Sequence, residues 1–393
     1  MDFRFTPEEE AFRREVRAFL DAELPMDWEE QFGTESESDA AWKFSKSFCK
    51  KMAARGWVGI AWPREYGGQG RSHMEQLIFN EELSHRRAPI RPIYMSTDRV
   101  GPSIIIYGTE EQKKRFLPRM TAAHCVFCQG FSEPGSGSDL ASLQTRAVAE
   151  GDFFVVTGQK IYTSFAHRAD YCILGTRTDP NAPKHRGITY FLMDMRLPGI
   201  TVRLMDDMLG APSFAELFLE DVRVSRRDML GEENRGWYQM ATTLDFERSG
   251  IGRVMDYYRT FEEVVQFARE QWAGRELSPP EAVLRNRLAE MALEFEIGRL
   301  LAYRVAWMQA RGLVPNYEAS MSKLFGDELA QRSTNADMQV LGLYGQLLHG
   351  SKWTRLRGRV ERSYLHAVSR TVAAGTSEIQ RNIMATRGLG LPR

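Results

Sequence analysis

The chain has 393 residues, 43% hydrophobic and 26% charged, enough apolar surface for a large core divided among two or three domains and too much for a disordered chain. Lys plus Arg and Asp plus Glu number 52 each, so no global basic excess draws it to nucleic acid or to an anionic membrane, and partners must be recognised locally. The longest apolar runs, such as 103–107, fall far short of a bilayer span, and the acidic start MDFRFTPEEE is unlike a secretion leader, so the expectation is a soluble, cytoplasmic protein with no membrane span.

The first 120 residues read as helices. Thr6-Pro7-Glu8-Glu9 joins an N-cap, a first-turn proline and acids favoured by the helix dipole, ahead of Phe12, Val16, Phe19 and Leu20 at helical spacing. Further helices are predicted over 40–55, 73–86 and 109–121, the last opened by a Thr109-x-x-Gln112 capping box. The stretch 62–70, WPREYGGQG, is a rigid loop. From 125 to 224 short alternating segments at 153–157, 171–176, 188–194, 200–204 and 216–219 are separated by Gly, Pro, Asp and Asn, the texture of a β-domain. After Gly236 the helical period returns over 237–270, 281–311, 316–346 and 376–386, and four long helices predict a bundle. The fold class is therefore α+β, with a helical domain at 1–123, a β-domain at 124–232 and a helical bundle at 233–393.

Four cysteines, Cys49, Cys125, Cys128 and Cys172, are too few and too scattered for a disulfide framework. Cys125-x-x-Cys128 has a metal or redox spacing, but no second pair follows and its surroundings read as a buried strand, so no metal is expected.

Two segments carry the functional signal. Residues 131–139, FSEPGSGSD, place glycines at 135 and 137 that let the backbone approach a planar or phosphorylated ligand, with Ser132, Ser136 and Ser138 as donors without bulk. Residues 375–382, GTSEIQRN, place Thr376, Ser377 and Glu378 at a helix start, where unpaired N–H groups favour polar cofactor atoms and where simple capping is the plain alternative. The second segment resembles the C-terminal flavin signature of the acyl-CoA dehydrogenase family, and the first resembles that family's other signature. They stand in the family's order, and the resemblance runs over essentially the whole chain.

The resemblance implies N-terminal helices, a middle β-domain and a C-terminal four-helix bundle, with FAD held between the last two and across a subunit interface. It places Gln129, Phe131, Ser132, Gly137 and Ser138 along the flavin, with Ser132 at the ring edge and Ser138 near the diphosphates. The run 160–164, KIYTS, matches the family's second flavin strand, with Tyr162 beside the ring, then Thr163, then Ser164 as its hydroxyl position. Without the flanking signatures a strand Tyr is ordinary core packing. The implied reaction removes a proton α to a thioester while hydride leaves the β-carbon for the flavin, so it needs a carboxylate; a positioned base contributes roughly 10² to 10⁴ in rate, and burial against an acyl chain raises its pKa toward neutrality.

In many family members that base precedes the Gly-Thr of the C-terminal signature, where this chain has Ala374. A minority branch carries it in an Asp-x-Glu-Arg context on another helix, and residues 244–248 read LDFER. Glu247 thus matches the alternative base, and Asp245 and Arg248 match positions contacting CoA, with Ser138 and Gly375 completing the implied substrate contacts. Taken alone, an Asp-x-Glu-Arg run is a solvated helix face.

Residues that typical homotetrameric members lend to a neighbour's FAD are altered. Residues 270–274 read EQWAG with Arg269 one place out of register, Glu281 stands for a Gln, and residues 339–343 read QVLGL with Leu343 in place of a glycine. An acid at a diphosphate position repels the ligand. Intact own-subunit residues beside eroded donated ones imply an α2β2 assembly with an unlike acyl-CoA dehydrogenase subunit, resembling the Glu-bearing subunit of actinobacterial enzymes acting on steroid side-chain CoA esters, with electrons passed to an electron-transfer flavoprotein. The alternatives are an acyl-CoA oxidase, usually much longer, a flavin monooxygenase on this fold, which has no need of Glu247, and a non-enzymatic scaffold subunit, for which donor residues should be intact and the base absent.

Overall fold

The computed structural model describes residues 4–36, 38–248 and 250–392, and the side chains of 244–248 lie outside it. Helices α1 (Pro7–Glu23), α2 (Trp28–Phe32), α3 (Asp39–Ala54), α4 (His73–His85), α5 (Arg91–Met95), α6 (Gly101–Tyr107) and α7 (Glu110–Thr121) come first. Strands β1 (Phe127–Gly130), β2 (Arg146–Glu150), β3 (Phe153–Lys160), β4 (Tyr171–Arg177), β5 (Ile188–Asp194), β6 (Ile200–Met205) and β7 (Phe214–Ser225) follow. The chain ends in α8 (Gly236–Arg248), α9 (Gly252–Trp272), α10 (Pro279–Ala310), α11 (Tyr317–Leu341), α12 (Arg359–Arg370) and α13 (Ser377–Ile383).

The Thr109 capping box forms as the sequence predicts, with the hydroxyl accepting from Gln112 N at 3.2 Å and the Gln112 side chain accepting from Thr109 N at 3.1 Å. The predicted 237–270 helix is two, α8 and α9, because Gly250 interrupts it. Strand β2 and helix α12 were not anticipated. Of β2 only Ala147 is buried, so it offers no apolar alternation to read; α12 does carry Val360, Tyr364, Ala367 and Val368 at helical spacing, so its period is legible in the sequence.

The elements pack into two compact units. One holds α2, α3, α5–α8 and the sheet, and the other holds α1, α4 and α9–α13. In the first unit the strand order is β1-β4-β2-β3-β7-β6, with β5 on β4; β1 and β4 run parallel, and β3 pairs antiparallel with both β2 and β7. One sheet face buries Phe154, Val156, Leu217 and Val224, and the other buries Phe127, Tyr171 and Tyr190 against Phe116 and Leu117 of α7. Cys128 and Cys172 are register partners on β1 and β4, whereas Cys125 sits in the opposite cluster, and all four thiols are free and buried. Burial pushes the Cys125 thiol up to about 12 and raises those of Cys49 and Cys128 well above their ordinary 9.0, as in unreactive core thiols.

In the second unit α9, α10 and α11 bury Val264, Met291, Phe295 and Leu329. Helices α1 and α4 join it through Leu77 of α4, buried among Met255, Ala302 and Ala306, and through charge: Arg13, 7% exposed, bonds Glu81 and Glu82 of α4 at 2.8 Å each, and Arg299 of α10 reaches Glu81 at 2.8 Å. Burial opposes the Arg13 charge, but Glu81 outweighs it and the guanidinium pKa lies above its ordinary value. Breaking such a buried pair costs about 3–5 kcal/mol, whereas an exposed pair is worth about 1 kcal/mol or less. Arg13→Met is accordingly expected to lower unfolding free energy in urea by that larger amount, and Arg17→Met, at the exposed edge of the same network, by the smaller one.

Candidate active site

The loop 131–139 leaves β1 and is shaped by a buried ion pair. Lys160, the last residue of β3 and 0% exposed, donates to Glu133 Oε1 at 2.7 Å and to the Phe131 carbonyl at 3.1 Å. Glu133 also accepts Gln144 N at 2.6 Å and Thr145 N at 2.8 Å. Burial alone would raise its carboxyl, but Lys160 and these donors outweigh that and hold it below its ordinary 4.5. Burial also draws the Lys160 ammonium down, with Glu133 opposing; the carboxylate is the better satisfied partner, because it collects more donors than the ammonium collects acceptors.

The pair brings the first signature onto the segment 161–164 that follows β3. Ile161 N donates to the Ser132 carbonyl at 2.9 Å, and Thr163 exchanges backbone bonds with Ala215 at 2.9 and 3.1 Å. Gln129, Ser132, Tyr162, Thr163 and Ser164 therefore belong to one patch. The Phe131 ring points instead into the core, centroid 5.7 Å from Tyr190, so any contact it makes with a ligand runs through its main chain. Gln129 accepts from Arg99 at 3.3 Å.

Three features of this patch fit a ligand that the chain itself does not provide. The hydroxyls of Ser136 and Thr163 are buried with no hydrogen-bond partner among the described residues, although buried polar groups are almost always paired. A Cβ at Gly135 or Gly137 would meet nothing within 4 Å, so internal packing does not demand glycine there. Tyr162 is 60% exposed, and its φ of +57° and that of Phe165, +55°, are left-handed, which costs about 1–3 kcal/mol per non-glycine residue and collects at functional sites.

The second signature lies in the other unit and repeats the pattern. Thr376 caps α13, its hydroxyl accepting Ile379 N at 3.3 Å. The plain capping role is therefore real for Thr376. Ser377 Oγ and Gln380 Oε1 are buried with no partner among the described residues, while Gln380 Nε2 donates to the Gly375 carbonyl at 3.1 Å. Ala374, at φ +58°, and Gly375, at +88°, turn the chain into α13. Glu378 is exposed, and backbone N–H at the helix start together with Thr376 holds its pKa down. These orphaned acceptors and hydroxyls, with the open glycines, suit the many polar atoms of a flavin dinucleotide.

Asp245, Glu247 and Arg248 fall on the last turns of α8, but their side chains lie outside the described residues. Sequence reasoning missed the Glu133–Lys160 pair and the unsatisfied Ser136 and Gln380; an acid and a base that both stand within flavin-type segments were the available signal. Of the altered donor positions, Leu343 is 82% exposed and Glu270 accepts from Gln266 at 2.7 Å. Glu281 caps α10 with Ser278 and binds Arg275 at 2.9 and 2.5 Å, and the Arg275 hydrogen bonds pull its pKa to about 2. Its charge is thus met within its own chain, which narrows the expectation that it repels a diphosphate. No group of His, Cys, Asp or Glu among the described residues could hold a metal, and no helix among them is long and apolar enough to cross a membrane.

Three family models cover nearly the whole sequence: acyl-CoA dehydrogenase N-terminal domain at 6–124, middle domain at 128–222 and C-terminal domain at 234–389. The chain belongs to the acyl-CoA dehydrogenase family. It is 36% identical to acyl-CoA dehydrogenase FadE26 of Mycobacterium tuberculosis, over 100% of this chain and 99% of that one. Among solved structures it matches the Tcur3481-Tcur3483 steroid ACAD at TM-score 0.90 and 34% identity, and the ChsE4-ChsE5 complex from Mycobacterium tuberculosis at 0.88 and 35%, each over 100% of both chains.

The ion pair makes a direct prediction. Lys160→Met strands a buried carboxylate and should cost about 3–5 kcal/mol at pH 7, most of it recovered by adding Glu133→Leu. Because the folded Glu133 pKa is depressed, the pair's contribution is fully present above 4.5 and fades as pH falls through the lower folded value. Urea titrations should therefore show the gap between wild type and Lys160→Met narrowing below that pH.

Proposed function

We propose that this acyl-CoA dehydrogenase is an FAD-dependent enzyme that introduces an α,β double bond into an acyl-CoA ester of the steroid side-chain class, works beside an unlike subunit in an α2β2 complex, and passes electrons to an electron-transfer flavoprotein. The observation that carries FAD is the recurrence of a buried hydroxyl without a partner among the described residues shortly after a left-handed non-glycine residue, Thr163 after Tyr162 and Ser377 three places after Ala374, with Ser136 of the first signature equally unpartnered. Likeness to a solved structure described as a steroid ACAD, and to complexes of two differently named chains, supports the substrate class and the unlike partner.

Bound FAD would supply the acceptor for the hydride that leaves the β-carbon. Ser132, Thr163 and Ser164 would bond the flavin, and Ser138, Thr376 and Ser377 would hold its polar remainder. Asp245 and Arg248 orient the CoA portion with Ser138 and Gly375. Glu247 takes the α-proton, since Ala374 has no acceptor atom, and closure of the site around an apolar acyl group raises the carboxylate's affinity for that proton.

Glu247→Gln should retain FAD and lose about 10² to 10⁴ in turnover, measured with an artificial electron acceptor and steroid, branched and straight-chain CoA esters. Near-wild-type turnover would remove Glu247 from the role. Co-expressed with the unlike subunit encoded beside it, the chain should form a yellow heterotetramer with half as many FAD as subunits; alone it should be largely free of flavin. A fully active homotetramer with one FAD per chain would exclude the unlike partner and leave the dehydrogenase reading intact.

A further inference from the structure

Asp327, on α11 and 1% exposed, is clasped by three cations from three helices. Lys323, one turn earlier and equally buried, donates at 2.6 Å; Arg253, in the first turn of α9, donates to both oxygens at 3.0 and 3.2 Å; Arg370, the last residue of α12, pairs by charge alone, its Nε 3.4 Å from Oδ1 outside hydrogen-bond geometry. The cluster takes no direct part in the chemistry described above. Its neighbours in the chain do.

After Arg370 the backbone passes through Thr371 to the left-handed Ala374 and Gly375 and then into α13. Both arms of that turn are tied to α11 within about one helical turn of Asp327: Gln331 donates to Thr371 Oγ1 at 3.0 Å, and Arg381 of α13 donates to Glu328 at 2.6 Å. Ser377 N closes the turn on the Thr371 carbonyl at 3.0 Å. A left-handed alanine persists only where its surroundings over-determine it, and in this turn the surroundings are α11 and what it grips.

We propose that Asp327 is a positioning residue: by holding Arg370 and Arg253 beside Lys323, it clamps the end of α12 onto α11 and keeps the strained turn 371–376 in the shape that presents Thr376 and Ser377 to the cofactor. The clamp rests on the reading that this turn serves FAD. A purely structural cluster would lower fold stability and FAD affinity together. A clamp acting on a strained turn couples instead to the strain, which glycine at 374 removes because it has no Cβ.

The test uses the complex co-expressed with its partner. FAD dissociation constants and urea unfolding are measured for wild type, Arg370→Met, Ala374→Gly and the double variant, with Asp327→Asn as the stronger lesion. Arg370→Met should weaken FAD binding about tenfold while leaving the unfolding midpoint near wild type, and adding Ala374→Gly should restore affinity to within about threefold of wild type. Wild-type FAD affinity in Arg370→Met, or an Ala374→Gly effect that is the same with and without Arg370, overturns the clamp. An unmutated complex that binds no FAD overturns the function reading and the clamp together, so the two failures are distinct.

Discussion

The site is organised by one buried ion pair, Glu133 with Lys160. Taking both charges out of water costs several kcal/mol per ion, and such a pair survives only if further hydrogen bonds satisfy the carboxylate. Here the backbone N–H groups of Gln144 and Thr145 do so. The consequence is geometric: the serine-glycine loop, the chain at 144–145 and the end of β3 are pinned to one carboxylate. The Ser132 carbonyl then meets Ile161 N, and Tyr162 and Thr163 emerge from β3 in a fixed place beside the loop.

The two signature segments lie in different units and have unrelated secondary structure, yet they share a local design. Each region puts a left-handed residue with a side chain shortly before a buried hydroxyl that has no partner among the described residues, Tyr162 directly before Thr163 and Ala374 three places before Ser377. Both features are unfavourable for a chain folding for its own sake. Each is also held from outside the segment, by the Glu133–Lys160 pair in one unit and by α11 in the other. Strain stored where a ligand is to bind, with rigid support behind it, is how a protein keeps polar groups aimed before the ligand arrives.

The altered positions gain a sharper meaning from their surroundings. Glu281 is engaged by Arg275 and by its own helix start, so this acid stabilises α10 and presents little bare charge. Leu343 points to solvent, an apolar group where a flavin-donating segment would need backbone freedom. What bears on the proposed unlike partner is therefore what these positions cannot donate, more than any repulsion.

Local chemistry made much of this protein legible. Capping boxes, the 3.6-residue period of α1, α3 and α9, and the short apolar runs of β4 and β5 all report interactions within a few residues, so the sequence by itself determined the order of helical, β and helical regions, the family, and the two segments carrying polar loop residues. It could not show that α1 and α4 pack with α9–α13, because that depends on Arg299 meeting Glu81 across 218 positions and on Leu77 packing among Met255, Ala302 and Ala306. Nor could it show β2, whose buried face is too thin to leave a period. The union of Glu133 with Lys160, the left-handed turns at Tyr162 and Ala374, and the three cations around Asp327 were decided only by tertiary structure. Their physical reason is the same in each case: a buried charge or a strained backbone is stable only when partners from distant segments surround it, and sequence spacing holds no record of that meeting.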